Sequence, residues 1–394
     1  MRARALSLYA PIAMHCTWYC DLTQVSRQAW DALDHPPDYP FLEWDWLVRL
    51  ERSRSVGPSV GWMPMHLTLW SKCDLIGAAA LYIKTHGQGE FIFDRIWAEA
   101  AEQYHLPYYP KLVGTSPFTP VPGYRFLYAP QTDREQATQR MVQEMHALVQ
   151  RLGLGGIHFF FAHRDWVQDM KRHGFLAWQH QCYEWRNTGF THFDDFLTTF
   201  RSSQRKNVKK ELRRVREQGL SIRAVPGQEM TPEGMQRMYS MYERTNDRYG
   251  PWNCKFLTPT FFDALVPALG HRLLFMQAED AQKKVVAMSM FVRKDGALYG
   301  RYWGALDEYP FLHFALCYYQ PIAWAVEHGI ERFDPGAGSM HKAKRGFIST
   351  CNHSLHWLAH PGMRALMQDN IQHINSLEQE HIDSLNTLTP YKKI

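Results

Sequence analysis

The segment Pro335–Phe347 holds the densest group of side chains that could take part in chemistry. It follows a predicted strand ending at Asp334, and its two glycines, Gly336 and Gly338, precede four polar residues: His341, Lys342, Lys344 and Arg345. Glycine lets a backbone approach a ligand closely. Cationic side chains can contact phosphate or polarise a carbonyl, and either the His341 imidazole or the Asp334 carboxylate could accept a proton. We therefore predict a catalytic loop in this segment. A plain surface loop is the alternative, since the spacing matches neither a P-loop nor a dinucleotide fingerprint.

A strand–helix–strand unit should position this loop. Strands are predicted at Val285–Arg293 and Leu298–Gly304, then a helix at Leu312–His328 and a strand at Glu331–Asp334. In open α/β sheets, ligands bind at the carboxyl ends of strands. That edge would also carry the end of the preceding strand, which adds three substrate-binding candidates: Arg301, Tyr302 and Trp303.

A polar and aromatic segment, Tyr242–Trp252, lies between two predicted helices. Loops of this kind often close over substrates, so Tyr249 and Trp252 are further substrate-binding candidates. Capping and turn chemistry at Asn246–Asp247 and Gly250–Pro251 explains the same composition equally well.

The segment Phe193–Gly219 is predicted to be helical and is strongly basic, with the basic helix placed at residues 196–219. A narrow apolar stripe would dock it on the protein: Val208, Leu212 and Val215. Four of the remaining cations are candidates for phosphate binding, namely Arg205, Lys206, Lys209 and Arg213. The alternative is an ordinary solvated helix face.

The order of elements is similar in the two halves of the chain. A helix ending in glycine precedes a buried strand both in Met141–Phe161 and in Cys317–Asp334. We interpret this as a duplicated α/β unit, with domains at residues 1–190 and 191–394 and a boundary near 186–200. The predicted fold class is α/β with mixed sheets flanked by helices. The Pro-rich loop Pro117–Gly123 would face the catalytic loop across a cleft.

Composition narrows the class of protein. The chain has 394 residues and a net charge of +5, which does not by itself imply a nucleic-acid partner. Its seven cysteines form no CxxC pair, and its histidines lack ligand spacing, so we expect no metal site. No stretch approaches the roughly 18–20 apolar residues of a membrane span, and a secretory signal is not favoured. We therefore expect a cytoplasmic protein.

Several short runs of the sequence together form a recognisable pattern. In the C-terminal half these are Tyr302-Trp303-Gly304, Ala325-Val326-Glu327-His328-Gly329, Phe333-Asp334-Pro335-Gly336-Ala337 and His341-Lys342 with Arg345-Gly346-Phe347. In the N-terminal half they are Ser55-Val56-Gly57-Pro58, Tyr108-Tyr109-Pro110-Lys111-Leu112 and Pro117-Phe118-Thr119-Pro120-Val121. The second of these adds Lys111 to the substrate-binding candidates. These runs resemble the bacterial FemAB-like family, and the resemblance covers nearly the whole chain.

This resemblance implies two tandem GNAT-like domains and an N-acyltransferase. The family would move an acyl or aminoacyl group onto an amine, on a cell-wall precursor or a small metabolite. The donor would be an acyl-CoA or an aminoacyl-tRNA, with tRNA as a candidate partner and no bound cofactor.

The resemblance leaves two questions open. The family pattern His-Lys-x-x-Arg-Gly-Phe points to His341, Lys342 and Arg345, whereas the pattern of the related Fem transferases points to Lys344. The chain also has Ser339-Met340 where the family usually carries an acidic residue. A protein that binds a ligand in the cleft without turnover is one alternative. An RNA-binding protein using the basic helix is another.

Overall fold

A computed structural model describes residues 14–250 and 253–392. Strands and helices alternate along the first half of the chain, and its elements are β1 Met14–Tyr19, α1 Arg27–Asp31, α2 Trp44–Arg52, β2 Trp62–Pro64, β3 His66–Ser71, β4 Asp74–Ala79, β5 Leu81–Lys84, α3 Arg95–Gln103, β6 Lys111–Gly114, β7 Leu127–Tyr128, α4 Arg134–Leu152, β8 Gly156–Phe159, α5 Trp166–Arg172 and β9 Leu176–Arg186.

The second half repeats this alternation with longer strands. Its elements are α6 Phe193–Thr198, α7 Ser202–Glu217, β10 Ser221–Pro226, α8 Pro232–Asp247, α9 Pro259–Leu269, β11 Leu273–Glu279, β12 Val285–Lys294, β13 Ala297–Ala305, α10 Leu312–Phe314, α11 Gln320–Glu327, β14 Arg332–Asp334, β15 Ile348–Leu358 and α12 Pro361–Asn386. A π-helical turn, Ala315–Tyr319, joins α10 to α11, and a 3-10 helix, Met340–Arg345, precedes β15.

Eleven strands form one sheet in the order β10-β11-β12-β13-β14-β9-β15-β8-β6-β5-β2, and β1-β3-β4-β7 form a second sheet. Two neighbouring pairs in the large sheet are parallel, β6 with β8 and β13 with β14. A parallel pair needs a crossover, and helices supply it: α4 in the first half and the α10–α11 segment in the second. The helix-plus-strand unit that the sequence repeats is therefore present twice, in mixed sheets flanked by helices as predicted.

The two halves exchange strands at the centre of the large sheet. β9, from the first half, lies between β14 and β15, and β15, from the second half, lies between β9 and β8. The β9–β15 pairing is long, running from Ile348 opposite Glu184 to His356 opposite Leu176. Strands on either side of the predicted boundary at residue 190 are therefore hydrogen-bonded to each other. The division into two domains at that residue remains a prediction.

Close packing fixes α8 against β13. Gly304 lies so near the helix that a Cβ there would meet the Met241 carbonyl oxygen at 2.1 Å. Only glycine allows this approach, since 2.1 Å is far inside van der Waals contact. The same face of α8 carries Tyr242, whose ring lies 5.4 Å from that of Tyr302 on β13.

The predicted basic helix is two helices, so the prediction of one continuous helix at 196–219 was wrong. The chain leaves helical geometry between Thr198 and Ser202 because the C-terminal tail pairs with it there. The Arg201 amide donates to the Pro390 carbonyl at 2.8 Å, and Phe200 forms a β-bridge with Tyr391. Phe200 is fully buried between Phe196 and Tyr391, which holds the break in place.

None of the helices within residues 14–250 and 253–392 is both long enough and apolar enough to cross a membrane.

Candidate active site between the two halves

A cavity of about 390 Å³ opens where the loop after β14 faces the first half of the chain. Its wall includes segments of β12 and β13, the π-helical turn and the loop Pro335–Lys342. Across from these lie aromatic residues of both halves, among them Phe91, Phe118 and Phe256. Seven of the predicted site residues line this cavity: Tyr249, Arg301, Tyr302, Trp303, Gly336, His341 and Lys342.

A β-bulge shapes the floor of the cavity. Met290 pairs with Tyr302 and Phe291 with Gly300, so Arg301 has no partner in the β12–β13 register. Bulges interrupt the ladder and re-aim side chains, and they are common beside active sites. The Arg301 guanidinium donates to the Phe118 carbonyl and lies 5.4 Å from the centre of the Tyr302 ring. Arg301 therefore links the cavity floor, which the second half supplies, to the part of the wall that the first half supplies.

Lys342 is the most unusual group in the wall, with only 3% of its surface exposed. Its Nζ donates to the carbonyl oxygens of Gly336 and Ala337, both at 2.7 Å. No carboxylate of the described residues lies within ion-pair distance of it. Burial lowers the pKa of Lys342 to about 8, partly opposed by the nearby charge of Asp334. A charged lysine has three N–H donors, so one remains available to a ligand.

Asp334 and Gly336 set the first turn of this loop. Gly336 has a φ of +82°, and its amide donates to the Asp334 carboxylate at 2.7 Å. Asp334 is buried behind the cavity wall, and this burial raises the pKa of its carboxyl. Gly338 also has a positive φ, +83°, but does not line the cavity. These residues hold the two carbonyls that Lys342 binds.

His341 lies in the wall between a hydroxyl and a phenol. Its Nδ1 is 2.5 Å from the Ser339 hydroxyl, and its Nε2 is 3.2 Å from the Tyr318 hydroxyl. Burial lowers the pKa of His341 to about 4, with a further contribution from the charges of Arg345 and Lys342. The imidazole is therefore neutral at pH 7 and can accept a proton. Ser339 has a φ of +60°, a strained backbone that is frequent at functional sites.

Arg345 and Lys344 lie outside the cavity. The Arg345 guanidinium stacks on the Phe314 ring at 3.3 Å and donates to Glu211 on α7 at 2.8 Å and to the His341 carbonyl at 3.1 Å. It positions the 3-10 helix that carries His341 and Lys342. Lys344 is exposed on the outer side of that helix. The sequence did not decide whether Lys342 or Lys344 is the functional lysine. Of the two, Lys342 is the one that lines the cavity.

The remaining candidates occupy three different places. Tyr302 and Trp303 are in the floor, and burial raises the pKa of Tyr302. Tyr249 is at the rim, with 61% of its surface exposed. Trp252 lies outside the described residues.

Lys111 is fully buried in the first half, away from the cavity. Its Nζ donates to Glu90 at 2.9 Å and to Asp94 at 2.5 Å. Burial alone would lower the pKa of Lys111, but the two carboxylates raise it above its usual range. Lys111 is thus a permanently charged member of a buried ion cluster, and its ammonium is held by two carboxylates.

The four phosphate-binding candidates lie along α7. Lys206, Lys209 and Arg213 are exposed, and Arg205 is half-buried. Lys209 pairs with Asp194 at 3.1 Å and Arg213 with Glu217 at 3.4 Å. Within the described ranges, Arg205 and Lys206 have no carboxylate partner. The helix joins the site through Glu211, which accepts from Arg345 and from the Tyr319 hydroxyl.

Three features of the cavity were missed from the sequence. One is the bulge at Arg301, for which Gly300 inside a strand was an available signal. Another is the π-helical turn Ala315–Tyr319, which places Cys317 and Tyr318 in the wall and has no clear sequence signature. The third is the aromatic wall of Phe91, Phe118 and Phe256, which comes together only through tertiary packing.

Across residues 14–250 and 253–392, no group of three or more His, Cys, Asp or Glu side chains is arranged to hold a metal ion.

Two solved structures show the same fold at low sequence identity. The crystal structure of FemX is 12% identical, with a TM-score of 0.51 over 87% of this chain and 98% of FemX. A conserved protein of unknown function from Bacteroides thetaiotaomicron VPI-5482 is 8% identical, with a TM-score of 0.50 over 87% and 99% of the two chains. The predicted fold class, α/β with mixed sheets flanked by helices, is confirmed.

No curated protein matches the chain in sequence. The model of the FemAB-like family, described as peptidoglycan biosynthesis/recognition, matches residues 21–393. The chain therefore belongs to the FemAB-like family.

Proposed function

We propose that this protein transfers an acyl or aminoacyl group to an amine acceptor in the cavity beside Lys342. The donor would be an acyl-CoA or an aminoacyl-tRNA, and the acceptor a cell-wall precursor or a small metabolite. The observation that carries the proposal is Lys342 itself: a buried cation in a cavity wall, with two N–H groups bound to carbonyls and a third left for a ligand.

Acyl transfer to an amine develops negative charge on the carbonyl oxygen of the donor. A hydrogen-bond donor fixed in advance at that position lowers the barrier because the cavity excludes water and the group need not reorganise. Lys342 supplies this group while it is charged. Its two bonds to Gly336 and Ala337 fix the ammonium, so the third N–H has a defined direction.

The acceptor amine must lose a proton as the new bond forms. His341 is neutral at pH 7 and lines the same cavity, so it is our choice of proton acceptor. As the donor's thioester or ester bond breaks, the CoA thiolate or the terminal ribose oxygen of the tRNA leaves and takes up this proton. Ser339 and Tyr318, on the two ring nitrogens of His341, set its tautomer and can relay the proton to that leaving group. Asp334 acts through the loop: it binds the Gly336 amide and contributes negative charge behind Lys342.

The test is a transfer assay with the full chain. Acyl-CoAs and charged tRNAs are incubated with amine acceptors, and product is followed by mass spectrometry. We expect transfer in the wild type and a loss of about 100-fold or more in kcat/KM for Lys342→Met, the effect of removing one such hydrogen-bond donor. Lys344→Met, in the same 3-10 helix but exposed, is the matched control. Equal activity in both variants would remove Lys342 from the mechanism.

The basic helix supports a second, narrower proposal about the donor. Two of its cations, Arg205 and Lys206, lack carboxylate partners among the described residues, and the helix is joined to the catalytic loop through Glu211. A polyanionic donor such as tRNA would lie along this helix with its reactive end toward the cavity. An RNA-binding protein without transfer remains the competing function. It predicts tight, salt-sensitive RNA binding and no product.

A further inference from the structure

The wall of the cavity that faces Lys342 is built from aromatic rings. Phe118 and Phe256 stack with centroids 5.0 Å apart and an interplanar angle of 10°, and Phe91 meets Phe256 edge-on at 6.1 Å. Tyr242 and Tyr302 extend the same surface. These residues come from distant parts of the chain, so the wall forms only in the assembled fold.

The backbone of this wall is held in an uncommon conformation. Phe91 and Phe118 both have a φ of +56°, a region that bulky side chains rarely occupy. Such residues cost stability and persist where the surroundings fix them, most often at functional sites. For Phe118 the fixing contacts are the Arg301 guanidinium on its carbonyl and the Trp62 ring at 5.2 Å. These contacts hold Phe118 in the cavity wall despite its strained backbone.

The charges around the cavity have one sign. Arg301 and Lys342 are in the wall, and none of the described residues that line it carries a carboxylate. Asp334, the acidic residue at the start of the catalytic loop, is buried behind that loop and accepts a hydrogen bond from the Gly336 amide. A cationic side chain entering this space would lose its hydration and find no counter-ion. An apolar group would instead replace water at the rings.

We propose that this aromatic wall selects the transferred group, and that the group is apolar and of ring or medium-chain size. Resting on the proposed function, this inference names the substrate class: an aromatic or aliphatic acyl or aminoacyl residue, in preference to acetyl, alanyl or lysyl. Phe91, Phe118 and Phe256 are the specificity-determining residues. Each methylene that such a group buries adds about fourfold in affinity.

The experiment measures binding before turnover, by calorimetry with the full chain. One arm uses acetyl-, hexanoyl- and phenylacetyl-CoA, and the other uses alanyl-, phenylalanyl- and lysyl-tRNA, so that the two donor sources are separated. We expect hexanoyl and phenylacetyl to bind at least tenfold more tightly than acetyl, or phenylalanyl at least tenfold more tightly than alanyl and lysyl. Equal dissociation constants within both series, or a preference for lysyl, would overturn the inference.

Two variants test the wall directly. Phe256→Ala removes the stacked ring, and Phe91→Gly removes a half-buried ring while relieving its backbone strain, so that it folds even if Phe256→Ala does not. Both should reduce the preference to less than about threefold. The matched control is Phe93→Ala, two residues away and 86% exposed, which should keep the full preference. An unchanged preference in Phe91→Gly contradicts the assignment.

The inference and the proposed function can fail separately. Selective binding without any product overturns the proposed transfer and leaves the wall as a recognition surface. Transfer at equal rates for small and large groups overturns the selection and leaves the transfer. No binding of any donor in either arm overturns both.

Discussion

The two parallel strand pairs share a topology but end differently. Beyond β6 and β8, aromatic rings fill the space: Phe159 lies 5.9 Å from Tyr124 and 5.1 Å from Trp166. The Gly123 and Tyr124 amides both donate to the Phe161 carbonyl, so the chains stay together. Beyond the paired residues of β13 and β14, the glycines Gly300 and Gly336 carry no such rings, and the cavity opens. In the first copy the space beyond the parallel pair is filled by packed aromatic rings. In the second copy the same place opens into the candidate active site.

Each copy also contains a buried lysine, and the environments push their pKa values apart. Lys111 has two carboxylate partners, whereas the Nζ of Lys342 binds two neutral carbonyls. The pKa of Lys111 is above its usual range and that of Lys342 is about 8. The comparison teaches that burial alone does not identify a functional lysine. The partner does.

Replacing each lysine by methionine should separate the two roles most strongly. Lys111→Met leaves the Glu90 and Asp94 carboxylates buried without their cation, which we expect to cost about 3–5 kcal/mol of unfolding free energy. Lys342→Met should cost far less stability and instead lower kcat/KM by about 100-fold or more. Denaturant unfolding and the transfer assay measure the two effects.

The opposite pattern would break this comparison. A Lys111→Met protein that is as stable as the wild type, or a Lys342→Met protein that loses several kcal/mol but transfers normally once folded, would exchange the structural and catalytic roles of the two lysines.

The pH dependence of transfer should follow Lys342. If its charged form stabilises the developing oxyanion, single-turnover rates fall as pH rises through about 8, about tenfold per unit once Lys342 is mostly neutral. The rate should hold below that pH until His341 becomes protonated near 4. A rate that instead increases through pH 8, after correction for ionisation of the acceptor, would make Lys342 the base.

Removing cations from α7 should change the salt dependence of tRNA binding more than removing the same number from the first half. Changing Arg205, Lys206, Lys209 and Arg213 to glutamine removes four charges from α7. For a tRNA donor we expect each lost phosphate contact to lower the salt slope of log Kd by roughly 0.7–0.9. The control removes four exposed first-half cations, Arg52, Lys72, Arg151 and Lys171, and should leave the slope nearly unchanged. Equal effects from both sets would mean that net charge, rather than α7, binds the donor.

A chain of buried imidazoles beside β8 predicts a smaller, acid-dependent loss of stability. The Nδ1 atoms of His158 and His356 are 2.7 Å apart, and the Ser354 hydroxyl joins His356 to His180 at 2.6 Å on each side. Burial lowers the pKa of all three, to about 3 for His180 and well below the usual value for the others. In the folded protein these three imidazoles are therefore neutral, and protonating them opposes folding.

Because the unfolded chain binds protons at these histidines below about pH 6.5 and the folded chain does not, unfolding free energy falls as pH drops through that value. We expect about 1 kcal/mol or more of loss between about pH 6.5 and 5.5 in denaturant titrations. His356→Gln should flatten that slope, whereas the exposed His381→Gln should not. Parallel slopes in wild type and His356→Gln would contradict the assignment.

The sequence could predict the second copy well because its signals are local. The glycine-ended helix, the strand Arg332–Asp334 and the loop with Lys342 lie within one short stretch, and the glycines mark where the backbone turns. The choice between Lys342 and Lys344 was not available, because alternation along a 3-10 helix decides which of them faces the cavity.

What depends on contacts between distant residues could not be read from the sequence. Lys111 meets Glu90 and Asp94 only after the sheet has formed, so its match to a family pattern gave no hint of an ion cluster. The break before α7 is set by Tyr391, far along the chain, through its bridge to Phe200. The aromatic wall likewise joins Phe118 to Phe256.

The strand exchange has a consequence for how the protein is made. The first half emerges from the ribosome with β8 and β9 in place but without β15, which must lie between them. The strand between β8 and β9 is missing until residue 358 has been synthesised, so two strand edges remain open while most of the second half is made. The nascent chain must then be protected from pairing with its neighbours on a polysome. Once β15 inserts, the strands of both halves are joined in one sheet.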